Sequence, residues 1–240
     1  MNDKEIIFEL QSNASEKHKA NVIRMGIPEE FTIGVSTATI RKLAKKVKKS
    51  NELAWKLWET KYHEAKLLAV LLFDISKISS EDIEYLMSNV ISWDLCDHMC
   101  KNLIIKTDYC DKFITRWVKS FEIYKKRAAF TLIATSAMHV RNLTDDIIDD
   151  YLCLISEYSQ VEHEHVRKAV VWALREVGKR DFSCNEKALL VAYKLKKSKN
   201  KEQVWIAKNA IKVIGNVVKV DERSRLLSVN TKKKKQGKDV

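Results

Sequence analysis

The stretch Ser-Trp-Asp-Leu-Cys-Asp-His-Met-Cys at residues 92–100 holds the residue types best suited to chemistry in this chain. On a helix, Asp97 lies one turn after Trp93 and one turn before Lys101. Two roles fit that spacing. Asp97 and Lys101 can form an ordinary i, i+4 ion pair worth roughly 0.2–0.5 kcal/mol. Alternatively, Asp97 is a carboxylate kept there for chemistry. A second indole stands in similar company. Between residues 166 and 177 the apolar stripe is Val166, Ala169, Val170, Ala173, Leu174 and Val177. Trp172 lies off that stripe, on the side that carries Lys168 and Arg175. Tyr124 and Arg127 likewise share the side away from the stripe of Ala129, Phe130, Leu132 and Ile133. Basic groups interleaved with aromatics suit a phosphate backbone with sugars or bases laid against it.

The elements that must position these residues are helices. The 240 residues include five Gly and one Pro, too few for a turn-rich β fold. Lys, Leu, Ala, Glu and Ile abound. The stretches 64–73, 125–134, 166–178 and 205–215 look alike, each with a basic residue followed by a small or apolar run; 94–104 fits the same slot with an acid. The aligned residues are Lys66, Asp97, Arg127, Lys168 and Lys208, separated by 31, 30, 41 and 40 positions. Such a period predicts an all-α, curved α-α superhelix, a HEAT- or armadillo-like solenoid of helix pairs. Partner helices are expected at 51–60, 80–89, 113–119, 144–157 and 185–196. One domain is expected over 1–220, followed by a basic, disordered tail at 221–240. The concave face would carry Lys66, Arg127, Lys168 and Lys208, with Asp97 as the only acid in the column.

The 44 basic and 32 acidic residues give a net charge of +12, which points to polyanionic partners, nucleic acid first. Basic clusters lie at 41–49, 194–201 and 232–235. Five unpatterned cysteines suit a reducing cytosol. Cys96 and Cys100 are one turn apart but lack further ligands of metal-site spacing, so buried thiols are expected, and the His-x-His at 163–165 is a weak signal by itself. The first residues lack a signal-peptide core, and the longest apolar run, near 67–73, is too short to span a bilayer. No Gly-rich phosphate loop, G-x-S-x-G or H-E-x-x-H occurs. A cytoplasmic monomer with no membrane partner is expected.

The motifs SWDLCD (92–97), YKKRAAF (124–130) and VRKAVVWALREVGK (166–179) resemble those of the AlkD-like bacterial DNA glycosylases, HEAT-like alkylation-repair proteins; the similarity runs from about Thr32 to Ile214. The resemblance implies a helical array holding duplex DNA and hydrolysis of the N-glycosidic bond of cationic purines such as 3-methyladenine and 7-methylguanine, with no metal and no cofactor. It places Trp93, Asp97 and Trp172 as the catalytic trio and Arg127 and Arg175 as DNA-backbone contacts. The family pattern also has an aromatic-rich, DNA-clamping helix before residue 32. Here Gly26 and Pro28 break any long helix, and Glu29 and Glu30 bring negative charge. The alternatives are a non-catalytic HEAT-like paralogue with weak or no DNA binding, and a protein-interaction scaffold.

Overall fold

The computed structural model describes residues 1–229, which form thirteen α-helices and one two-stranded ribbon. Two compact units divide the chain, Met1–Cys110 and Asp111 onward, where the sequence predicts one domain.

The first unit runs α1 (Asp3–Ser12), α2 (Glu16–Arg24), α3 (Thr37–Lys46), α4 (Asn51–Trp58), α5 (His63–Leu72), α6 (Ser80–Ser88) and α7 (Trp93–Asn102). Side-chain caps fix several starts. Ser36, Ser50 and Ser92 each accept a hydrogen bond from the amide three residues on, and Ser79 with Asp82 makes a reciprocal capping box. α5 lies at the centre, packed against α3, α4 and α7. It is apolar nearly all round, as a helix covered on every side must be.

The second unit runs α8 (Cys110–Trp117), α9 (Ile123–His139), α10 (Asp145–Glu157), α11 (Glu164–Gly178), α12 (Phe182–Lys196) and α13 (Lys201–Ile214), then β1 (Val217–Val218) paired antiparallel with β2 (Leu227–Ser228). α11 packs along α9, α12 and α13, and α12 against α10.

The repeat is visible in helix positions. Lys66 is the fourth residue of α5; Asp97, Arg127 and Lys168 are each the fifth of α7, α9 and α11. Lys208 is the eighth of α13, which starts earlier relative to its apolar run. The partner helices expected from sequence correspond to α4, α6, α8, α10 and α12.

One segment departs from expectation, and a second matches the helix break expected at Gly26 and Pro28. Residues 221–229 were expected in a disordered tail. Instead they carry β2, a buried Leu226 and an Arg225 that reaches the carbonyls of Ala137 and Glu176 at 3.0 and 2.6 Å. Two-residue strands leave no periodicity to detect. The cluster at 232–235 lies outside the described residues. At the other end, the chain between α2 and α3 is a loop turned at Gly26 (φ +89°) and Gly34 (φ +95°). A β-carbon on Gly34 would lie 2.7 Å from that of Lys19. The loop is pinned by Glu64 of α5, which is fully buried. Its carboxylate accepts the amides of Ile33, Gly34 and Val35 at 2.9, 2.7 and 3.3 Å.

Candidate nucleic-acid interface

Ser92 caps α7, so Trp93 becomes its first residue and Asp97 follows one turn later. Trp93 is half-buried. Asp97, expected on an exposed face, is only 8% exposed. Its flanking thiols, Cys96 and Cys100, are fully buried, and burial pushes the Cys100 thiol well above its usual range, with Cys96 and Asp97 adding to the effect. A thiol held neutral in this way is a poor nucleophile and a poor metal ligand. Among the described residues, no group of three or more His, Cys, Asp or Glu side chains is placed to hold a metal ion.

The same helix carries a polar pair that the sequence did not single out. Asp94 accepts a hydrogen bond from His63 Nε2 of α5 at 3.2 Å and one from the Ser92 hydroxyl at 3.1 Å. Burial opposes ionisation of Asp94, yet His63 and Ser92 more than offset it and hold the carboxyl below its usual range. His98 Nε2 donates to the Leu67 carbonyl at 3.0 Å. Burial first, and the charge of Arg41 second, lower the His98 pKa to about 4, so the ring is neutral at pH 7. These two contacts tie α7 to α5 and fix the azimuth at which Trp93 and Asp97 project. Each contact joins residues 31 positions apart on different helices, so neither leaves a local sequence signal.

Lys66, expected to line the groove, is half-buried. Its Nζ donates to the Trp58 carbonyl at 2.6 Å and lies 4.9 Å from the centre of that indole; burial lowers its pKa.

In the second unit, Arg127 is 6% exposed and its guanidinium donates to the His165 carbonyl. The sequence placed Arg127 off the core side, but α9 is covered all round from Arg127 to Ala137, and Arg127 is buried with the rest. On α11, Trp172 and Arg175 are half-buried and Lys168 is exposed, as a side bearing one indole between two bases predicts. Lys168 pairs with Glu164 at 2.6 Å. Lys208 on α13 is exposed. Also unforeseen was Arg167, which pairs with Glu202 and stacks 4.5 Å over Trp205.

A family model described as "DNA alkylation repair enzyme" matches residues 6–214. The chain belongs to that family. A solved structure described as "A new family of proteins related to the HEAT-like repeat DNA glycosylases with affinity for branched DNA structures" matches with a TM-score of 0.74. The match covers 100% of this chain and 95% of that one at 20% identity, which shows a shared HEAT-like helical fold. No curated protein matches the chain. Within this alkylation-repair family the all-α class expected from sequence holds. Among the described residues no helix is long and apolar enough to cross a membrane.

Proposed function

We propose that this member of the alkylation-repair family hydrolyses the N-glycosidic bond of cationic alkylated purines, such as 3-methyladenine and 7-methylguanine, in duplex DNA, acting as a cytoplasmic monomer. The observation that carries this reading is Asp97, an 8% exposed carboxylate one helical turn from the half-buried indole of Trp93. A methylated purine already bears positive charge, so it leaves with the electron pair of the C1′–N bond and needs no acid. The sugar then takes on oxocarbenium character. A carboxylate in a site of low dielectric stabilises that charge and orients a water, whose oxygen bonds to C1′ and whose proton passes to solvent. The indole face of Trp93, one turn away on the same helix, adds cation–π attraction, and the family resemblance alone gives Trp172 the same role. Lys168, Lys208 and Arg175 would meet phosphates, with Arg127 and Lys66 bracing the helices that carry the site.

The test is incubation with methylated duplex DNA and measurement of released free base for the wild type and Asp97→Asn. Release by the wild type and its loss in the variant are expected; equal release by a folded variant overturns the assignment. A second reading, DNA binding without hydrolysis, draws support from the segment between α2 and α3, where a pinned loop with exposed Glu29 and Glu30 stands in place of a clamping helix. Binding of duplex or branched DNA with no base released would select it.

A further inference from the structure

The loop that replaces a helix between α2 and α3 builds something of its own. We infer that it completes a pocket for a single unpaired DNA base, a mode of recognition that rests on the DNA reading above. The pocket measures about 210 Å³ and lies wholly within the first unit. Its walls are apolar: Ile27 and Phe31 from the loop, Ile91 from the residues before α7, and Leu95 from α7 itself. Ile27 and Leu95 are buried, whereas Ile91 is 55% exposed. A large aliphatic side chain left in solvent beside an apolar pocket marks a surface that gains from being covered. Ile91 also stands two positions before Trp93, so an occupant sits at the start of the helix that carries Asp97.

The wall is preformed. Glu64 grips the three amides that follow Thr32, and the Thr32 hydroxyl donates to the Pro28 carbonyl at 3.0 Å. Ile27 and Phe31 are thereby held without an occupant, and little ordering is left for binding to supply.

Five polar residues also line the pocket; Thr60, His63 and Lys66 are engaged by the Leu57 carbonyl, Asp94 and the Trp58 carbonyl, which leaves Asn89 and Lys61 to define what fits. Asn89 commits its amide nitrogen to the Tyr85 carbonyl and the Ser88 hydroxyl, and among the described residues its amide oxygen accepts nothing. Lys61 is exposed, lies 5.5 Å from the centre of the Tyr62 ring, and has no carboxylate partner among the described residues. An aliphatic chain would fill the apolar walls but leave both polar groups unmatched. A nucleotide satisfies all three features: ring faces against Ile27, Phe31 and Ile91, an exocyclic amine on the Asn89 oxygen, and a phosphate on Lys61. Adenine, guanine and cytosine carry such an amine and thymine does not, so the pocket prefers the first three.

The experiment uses the full chain and a labelled duplex with one bulged 2-aminopurine, compared with the fully paired duplex and with a bulged thymine. Affinity is read by anisotropy at low salt, and the state of the bulged base by its own fluorescence. The wild type should bind the bulged 2-aminopurine duplex about tenfold tighter than the paired one, as stacking of one base on a protein surface commonly provides. Its fluorescence should change on binding, and bulged thymine should lose part of the preference. Ile91→Ser, at an exposed position that tolerates the change, should abolish the preference and the fluorescence response while paired duplex is still bound. If the wild type binds both duplexes equally with unchanged fluorescence, or if Ile91→Ser keeps the preference, the pocket inference is overturned and the DNA reading stands. If no duplex binds even at low salt, the DNA reading fails and the inference falls with it.

Discussion

α5 and α11 each bury a glutamate, and they solve the same electrostatic problem by opposite means. Glu64 of α5 is fully buried and solvated by three backbone amides of the loop at 33–35. Glu176 of α11 is 6% exposed and solvated by two side-chain cations, Lys179 at 2.6 Å and Arg225 at 2.8 Å. In the first unit the carboxylate orders backbone, and so fixes a loop. In the second it orders long side chains, and so docks the ribbon of β1 and β2 through Arg225. Amide donors have few alternatives once buried, while cations with side chains 21–23% exposed can turn to water. The amide-held site should therefore be the more brittle one. Asp97 is a third buried carboxylate, and the question is whether it resembles either.

The largest effect is expected there. Asp97→Asn keeps the shape and removes the charge. If Asp97 is kept for chemistry, base release from methylated duplex should fall roughly a hundredfold or more. Duplex affinity should hold or rise, because bound DNA would then lie near one negative charge fewer. The protein should remain folded by circular dichroism. An outcome in which Asp97→Asn unfolds the protein would place Asp97 with Glu64 as a structural carboxylate.

Glu64→Gln supplies the contrasting case. One amide oxygen remains as an acceptor, but an NH2 group now faces buried N–H donors. Chemical denaturation should show a loss of about 3 kcal/mol. Limited proteolysis should first cut at 25–36, the loop freed by the change. A loss as small as that of a surface substitution would break the distinction drawn between the two units.

How these sites were read from sequence follows the same division. The five aligned stretches each became one helix because their apolar runs repeat at helical spacing, so the sequence carried the placement of Asp97 on α7 and of Trp172 between Lys168 and Arg175 on α11. What it did not carry was burial. Arg127 has the same helix position as Lys168, yet α9 is covered on all sides and the His165 carbonyl takes the guanidinium. The grip of Glu64 was invisible because its partners are backbone groups, which have no residue type to recognise. The ribbon at 217–228 escaped because its strands are two residues long.

His98 makes the first unit sensitive to acid. Its folded-state pKa is depressed to about 4 from an ordinary 6.5. Above pH 6.5 the ring is neutral in both states. As pH falls below 6.5 the unfolded chain takes up a proton that the folded one refuses, so stability is lost progressively down to pH 4. The loss from this group approaches about 3 kcal/mol at the lower end. Asp94, depressed below the usual carboxylate range, loses stabilisation in the same direction but at lower pH. Denaturation at pH 7.5 and 4.5 measures the total, and His98→Gln should reduce the difference. An unchanged difference would show that other groups govern it.

A smaller loss is expected at Glu176→Gln, about 1–2 kcal/mol, because Lys179 and Arg225 recover part of their solvation. Hydrogen exchange should speed up in β1 and β2 and leave α9 unaffected. Protection that weakens evenly through the unit would mean that Arg225 bears on the whole packing and not on the ribbon alone.

The smallest stability change separates two bases at one register position. Lys168 and Arg127 are both the fifth residue of their helices, but Lys168 is exposed and pairs with Glu164 at i, i+4. Lys168→Ala should alter stability by only about 0.5 kcal/mol or less. If Lys168 faces DNA, the same change should weaken binding alike for all sequences and flatten the logarithmic salt dependence by about one unit. Arg127→Ala should do the reverse. It strips a buried carbonyl of its donor and leaves space in a packed helix, so the loss in stability should reach about 1–3 kcal/mol. Its effect on the salt slope should be smaller than that of Lys168→Ala, since a 6% exposed side chain has little surface to offer a phosphate. Titrations with labelled duplex at several salt concentrations, run beside denaturation curves, resolve the pair. A slope change larger for Arg127 than for Lys168 would mean that the buried guanidinium turns outward when DNA binds, and that α9 contributes to the interface through a rearrangement of the His165 contact.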